Sequence, residues 1–365
     1  MTIPLADLDS WDRVPALIRE AEGRPPASCQ WFRIGDVFLE LRSDHDPLLQ
    51  EFETAYGDCA VPAPAPGAPR VRCAAGILSG WPLLFLSFDG PGALDALETA
   101  RSPQRFFLRQ RYLEVAGPLP GWRQLVDAED RDRMLIASDG KTVLLCPHEA
   151  QFAVDCIVGT VQSSQAGVLF LHAASVGIAG AGALIIGPGG AGKSTTALTL
   201  AWRGHSFLGD DVAAVRRASG EVLPFPKSAG LRDGPLARSL DARLRDCRRA
   251  VVTTRRGVRR TLVRVGDLFP GTLGGPLPLR FAFLLDGFAD RARITACRPQ
   301  LSDVKRLQSV ATDRSLAWGI SPGRDLMSLL VVVELLSRVT CHLVQLGSPE
   351  ETAGLIEAAM EVSCS

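Results

Sequence analysis

The chain has no excess of either charge: 40 Lys and Arg stand against 40 Asp and Glu in 365 residues. That balance gives no footing for a general polyanion binder. Aromatic residues are scarce at 6%, only 2 of them Tyr, and none alternate with basic residues in a run. A nucleic-acid platform built on base stacking is therefore not expected. The 9 cysteines include no C-x-x-C pair and are odd in number, which suits reduced, buried thiols better than a disulfide framework. The start, Met1-Thr2-Ile3-Pro4-Leu5-Ala6-Asp7, lacks the basic and apolar regions of a signal peptide. The most apolar helical stretch, 326–336, is too short to span a bilayer and contains Glu334. These absences together predict a soluble, cytoplasmic protein without membrane or nucleic-acid partners.

What is present is concentrated at Gly187-Pro188-Gly189-Gly190-Ala191-Gly192-Lys193-Ser194, which fits the phosphate-loop pattern G-x-x-x-x-G-K-[ST]. An apolar strand-like run, Ala183-Leu184-Ile185-Ile186, precedes it, and a helix-like run opens at Thr195. Glycines let the backbone wrap a phosphate, and the amides of a helix N-terminus offer it partial positive charge. Lys193 is placed to reach the β- and γ-phosphates and the Ser194 hydroxyl to ligate Mg²⁺. The pattern in this context predicts binding of a nucleoside triphosphate such as ATP, with Thr195 completing the site.

Around this loop the chain reads as α/β, with two domains. Residues 1–125 form a small α+β unit with a helix over 8–21, a hairpin turning at Gly35-Asp36, a helix over 46–56, a Pro/Ala loop over 61–69, two strands and a helix over 92–99. Residues 126–365 form the second domain. It opens on a hairpin with Asp139-Gly140 at its turn, then a helix over 149–162. One strand is expected over 168–178 and another across 205–215. A buried helix over 321–340, a strand over 341–346 and a helix capped by Ser348-Pro349-Glu350-Glu351 end the chain. The first unit has no recognisable catalytic residues; peptide recognition on an exposed strand edge or dimerisation would suit it.

Asp210 and Asp211 follow the loop by one helix and one strand. Phosphoryl transfer to a hydroxyl needs a carboxylate for the metal and a base for the proton. Neighbouring strand residues face opposite ways, so the two share one site only where the strand ends or bulges; taken alone, such a pair is a turn or cap. His172 interrupts the apolar run 169–174, either as a satisfied core histidine or facing the phosphates. His205 falls at a helix C-terminus, where a cation is favourable without any catalytic role.

Leu171-His172-Ala173-Ala174-Ser175, the loop, Arg203-Gly204-His205 and Gly209-Asp210-Asp211-Val212, in this order, resemble the catalytic domain of HPr kinase/phosphorylase. That family is similar in its nucleotide site to phosphoenolpyruvate carboxykinase, and the resemblance runs over residues 160–365. The C-terminal helix–strand–helix also resembles kinases of peptide-modification clusters, lasso-peptide clusters included. The resemblance implies a mixed-sheet kinase domain using ATP and Mg²⁺. It makes Asp210 the base, Asp211 with Ser194 the metal side, and Lys193 and His172 catalytic neighbours of the phosphates. The glycine-rich signature that serves phosphorolysis is missing; Arg-rich sequence over 245–260 stands in its place, which sets both phosphorolysis and HPr itself in doubt. Lys227 and Arg232 lie in a segment resembling the family's Pro-Lys/Arg stretch. They serve either charge neutralisation or a solvated loop, and Arg255 and Arg256 either a mobile loop or a flap for an acidic acceptor. The expected reaction is phosphorylation of a hydroxyl, Ser on a peptide or small protein. A small-molecule kinase and a regulatory nucleotide binder are the alternatives, and the resemblance leaves room for a homo-oligomer.

Overall fold

The computed structural model describes residues 28–43, 46–78, 81–88, 112–116, 123–127, 135–138, 142–145, 167–247, 249–253, 259–299 and 322–364, with scattered positions besides. The helices expected over 8–21 and 92–99 and the turn at Asp139-Gly140 lie outside the described residues. Two compact units emerge. One takes in 1–53, 60–166 and 316–324, the other 54–59, 167–315 and 325–365.

The first unit is built on an eight-stranded sheet: β1 (Ser28–Ile34), β2 (Val37–Ser43), β3 (Arg70–Leu78), β4 (Trp81–Phe88), β5 (Tyr112–Ala116), β6 (Arg123–Asp127), β7 (Leu135–Ser138) and β8 (Thr142–Leu145), in the order β1-β2-β3-β4-β8-β7-β6-β5. The first hairpin turns at Gly35-Asp36, as its sequence predicts, with Ile34 opposite Val37. Helix α1 (Asp46–Tyr56) and the Pro/Ala loop then carry the chain to β3, parallel to β2. The hairpin of β7 and β8 joins this sheet rather than the second unit, because β8 pairs with β4 and β7 with β6. The sheet thus runs past residue 125, where composition alone placed the boundary.

The second unit is a mixed α/β structure. Its main sheet runs β12 (Ser206–Gly209), β10 (Ala174–Ile178), β11 (Ala181–Ile186), β18 (Leu277–Phe288), β14 (Glu221–Leu223), β13 (Ala213–Arg216) and β9 (Val168–Leu171), with β20 (Thr340–Leu346) beside β18 and β19 (Arg293–Cys297) beside β20. A smaller sheet holds β15 (Ala229–Leu231), β17 (Arg259–Val263) and β16 (Arg249–Thr253). Strands β11, β18 and β20 run parallel, and β11 is apolar and buried throughout, as a strand covered on both faces must be. Ala183 and Ile185 pack with Leu198 of α2 (Lys193–Trp202) and with Ile356 and Met360 of the C-terminal helix (Pro349–Cys364). Leu184 and Ile186 pack on the other face with Val332 and Leu336. Ser348 caps the C-terminal helix, its Oγ accepting from the Glu351 amide at 3.2 Å.

Two strands expected to be continuous are each broken. The run 168–178 splits at His172-Ala173, where the Ala173 amide bonds back to the Leu171 carbonyl at 2.8 Å. The run across 205–215 splits at Asp210-Asp211. The reason is a change of partner: β9 pairs with β13, with Leu171 opposite Ala213, while β10 pairs with β12, with Ser175 opposite Gly209. The two breaks face one another, and the site lies between them.

Candidate active site

The phosphate loop follows directly from β11. Gly190 and Gly192 hold φ of 87° and 99°, and Gly192 is the N-cap of α2. A side chain at Gly192 would be strained in that left-handed conformation and would stand in contact with Leu346 at 3.4 Å. Lys193 opens the helix and is almost wholly buried. Its ammonium donates to the carbonyls of Gly187 at 2.7 Å and Pro188 at 3.2 Å, which ties it to the backbone of the loop.

The third contact of Lys193 is His172, with Nζ 3.2 Å from Nε2. On its other side, His172 Nδ1 lies 2.9 Å from the Asp211 carbonyl oxygen and 3.4 Å from Asp211 Oδ1. An ammonium only donates and a carbonyl only accepts, so the tautomer protonated on Nδ1 satisfies both contacts. His172 therefore links the loop lysine to the strand break that carries the carboxylates. It is buried with a contact on each ring nitrogen.

Asp210 and Asp211 occupy different environments although they are adjacent. Asp211 sits at φ 65°, a conformation Asp tolerates better than most residues. This turn lies in the break between β12 and β13. The Asp211 side chain keeps 27% exposure and pairs with Lys227 at 3.6 Å. Asp210 keeps only 3%. Burial first, and the Asp211 charge second, push its carboxyl above the ordinary range, against hydrogen bonds from Ser194 and the Asp211 backbone and the charge of Lys193. Its Oδ1 is buried without any hydrogen-bond donor.

A divalent cation fits this place. A buried carboxylate oxygen without a partner, beside the loop hydroxyl of Ser194, is a hard-oxygen donor set of the kind Mg²⁺ takes. Among the described residues no group of three or more His, Cys, Asp or Glu is gathered to hold an ion. Such a cation would draw the rest of its shell from water and phosphate oxygens, as Mg²⁺ commonly does.

Lys227 and Arg232 both reach the site from the segment around β15. Lys227 pairs with Asp211 and lies 5.5 Å above the ring of Tyr56, a buried aromatic that nothing in the local sequence connected to the loop. Arg232 is exposed, and its guanidinium lies 3.7 Å from where a Cβ on Gly190 would stand. Both cations are thus next to the loop or its carboxylates rather than in a detached solvated segment. Arg255 and Arg256 lie outside the described residues. His205 instead bonds Glu357 of the C-terminal helix at 2.6 Å.

A strand, a glycine loop and a helix, with a carboxylate pair at the facing strand break, make up this site. Residues 164–229 match the family model described as HPr Serine kinase C-terminal domain, a stretch that holds His172, the loop, both aspartates and Lys227. The chain is 32% identical over 106 residues to HPr kinase/phosphorylase of Bacillus subtilis (strain 168), covering 29% of this chain and 31% of that protein. It is 36% identical over 84 residues to HPr kinase/phosphorylase 1 of Oceanobacillus iheyensis, covering 23% and 27%. It is 34% identical over 125 residues to HPr kinase/phosphorylase of Listeria monocytogenes serotype 4a, covering 34% and 35%. The chain thus spans about a third or less of the length of these curated relatives. The solved structure of the Hpr(Ser) kinase/phosphatase from Coxiella burnetii covers 53% of this chain and 95% of its own, at 13% identity and a TM-score of 0.27. At that score the likeness bears on neither the fold nor the site. No helix among the described residues is long and apolar enough to cross a membrane.

Proposed function

We propose that the chain is an ATP-dependent kinase that transfers the γ-phosphoryl group to a hydroxyl, that of a serine on a peptide or small protein. One observation carries this: His172, Lys193, Ser194, Asp210 and Asp211 converge at two facing strand breaks beside the loop. Binding alone would need the loop but not a carboxylate pair linked to it through an imidazole. The kinase type follows from the similarity over residues 164–229.

The geometry supports exchanging the roles first expected for the two aspartates. A base must touch a hydroxyl arriving from solvent, and Asp211 is open to it while Asp210 is not. Asp210, buried and with an unsatisfied oxygen, together with Ser194 would hold Mg²⁺. When bound, the ion would neutralise charge on the phosphates. Lys193 leaves the loop carbonyls for phosphate oxygens, and Arg232 stands over Gly190 to offset negative charge on the transferring group. Lys227 holds the Asp211 carboxylate in place, and His172 fixes that residue's backbone. The departing hydroxyl proton goes to Asp211. Basic residues at 249, 259 and 260 suit an acidic acceptor.

The test is incubation of the full chain with γ-labelled ATP, Mg²⁺ and serine-containing acidic peptides. Label on peptide that disappears with Asp211→Asn, while ATP binding persists, supports the reading. Label carried only by free serine or a sugar would make it a small-molecule kinase. ATP binding without transfer to any acceptor would make it a regulatory binder. A short precursor-peptide gene beside its own would support the peptide acceptor.

A further inference from the structure

Phe288 is the most exposed large aromatic among the described residues, at 72%, and it stands at the mouth of the phosphate loop. It ends β18, the strand lying parallel between β11 and β20. In open α/β sheets ligands lie across the carboxyl ends of such strands, here Ile186 before the loop, Phe288 and Leu346. The Phe288 ring reaches to 4.0 Å from where a Cβ on Gly192 would stand, and Leu346 to 3.4 Å from the same point. Phe288 and Leu346 are register partners, and the Ala289 amide bonds the Leu346 carbonyl at 2.8 Å.

The strand does not deliver Phe288 there by regular alternation. The β18–β20 register slips between Leu285 and Phe288, and Gly287 within the slip takes φ 84°. Leu284 and Leu285 before it are buried. An irregularity of this kind re-aims a side chain and is common beside active sites. Its result here is a phenyl face turned into solvent, at the N-terminal end of the helix that receives phosphates. Leaving a ring of that size in water has an unfavourable hydration term, which a planar ligand would remove.

We propose that Phe288, backed by Leu346, is the stacking platform for the base of the nucleotide whose phosphates fill the loop. This rests on the nucleotide reading of the site. The loop and Lys193 recognise phosphate only; the base lies outside them and takes the apolar face next to Gly192. Stacking uses the π-face alone and needs no hydrogen-bond partner, which agrees with the apolar character of Phe288 and Leu346.

The test is calorimetric titration of the full chain with two probes, Mg-ATP and magnesium tripolyphosphate, which has the phosphates but no base. Phe288→Ala is expected to weaken ATP binding about tenfold and to leave tripolyphosphate binding unchanged; Phe288→Trp is expected to bind ATP as tightly as wild type. Unchanged ATP affinity in Phe288→Ala would overturn the base platform. So would an equal loss of both probes, since the ring would then shape the loop rather than hold the base. A wild-type chain that binds neither probe would overturn the nucleotide reading, and the platform with it. A wild-type chain that binds both, beside an indifferent Phe288→Ala, would sink the platform alone.

Discussion

At the residue scale, the site separates two identical side chains by burial. Asp210 is desolvated and lacks a donor on one oxygen, while Asp211 is open and paired. Removing the buried charge should therefore stabilise the fold while harming the proposed reaction. Asp210→Asn is expected to melt a few degrees above wild type at neutral pH without ligand and to lose Mg²⁺-dependent transfer; calorimetric melts and a labelled-ATP assay check the two halves. Asp211→Asn keeps a side chain that accepts the left-handed turn and removes the base. Its kcat should fall about 100- to 10,000-fold with nucleotide affinity nearly unchanged, in steady-state kinetics beside direct binding. Lys193→Ala should weaken both, since its buried ammonium holds the loop carbonyls and is the one proposed to meet the phosphates. The aspartates, histidine and lysine were all legible as candidates from the sequence. Which of the two aspartates is buried was not, because residue type says nothing about which neighbour is wet.

At the element scale, the decisive features are strand breaks, and periodicity does not show them. The runs 168–178 and 205–215 are apolar enough to read as single strands, and only the exchange of partners between β9–β13 and β10–β12 splits them. Gly209 makes the second break feasible. A Cβ there would stand 2.9 Å from the Val212 carbonyl oxygen and 3.0 Å from that of Phe225, both backbone atoms that cannot swing aside. Gly209→Ala is expected to destabilise by about 1–3 kcal/mol and to lower activity by displacing Asp210-Asp211, measured by denaturant unfolding and kinetics. Further from the site, Glu357 on the C-terminal helix accepts from Arg203 and His205 at the end of α2. Burial raises its carboxyl, but the hydrogen bonds from Arg203 and His205 and their charges together hold it below the usual range. Its folded value is depressed, so the tie stabilises fully above the unfolded value of about 4.3 and is lost as pH falls through the folded one. Glu357→Gln should cost on the order of 1 kcal/mol at neutral pH, and the gap from wild type should close in acid urea melts.

At the scale of the whole molecule, the three parallel strands β11, β18 and β20 gather Gly187, Phe288 and Leu346 at one edge from positions far apart in the chain. If Mg-ATP binds there, it binds the folded state alone. At 100 times its dissociation constant it should add about 2.7 kcal/mol of stability, read as a raised Tm that Lys193→Ala abolishes. The strand–loop–helix unit over 181–202 was legible in local sequence, because a strand, a glycine pattern and a helix are contiguous. So were the hairpin at Gly35-Asp36 and the cap at Ser348, each set by neighbours a few residues away. Long-range folding alone assigned the 134–145 hairpin to the first sheet, brought Lys227 and Arg232 to the loop, and stood Tyr56 and Phe288 beside it. Those are distant pairings, set by which strands find one another. Burial, which divides Asp210 from Asp211, exists only once they have.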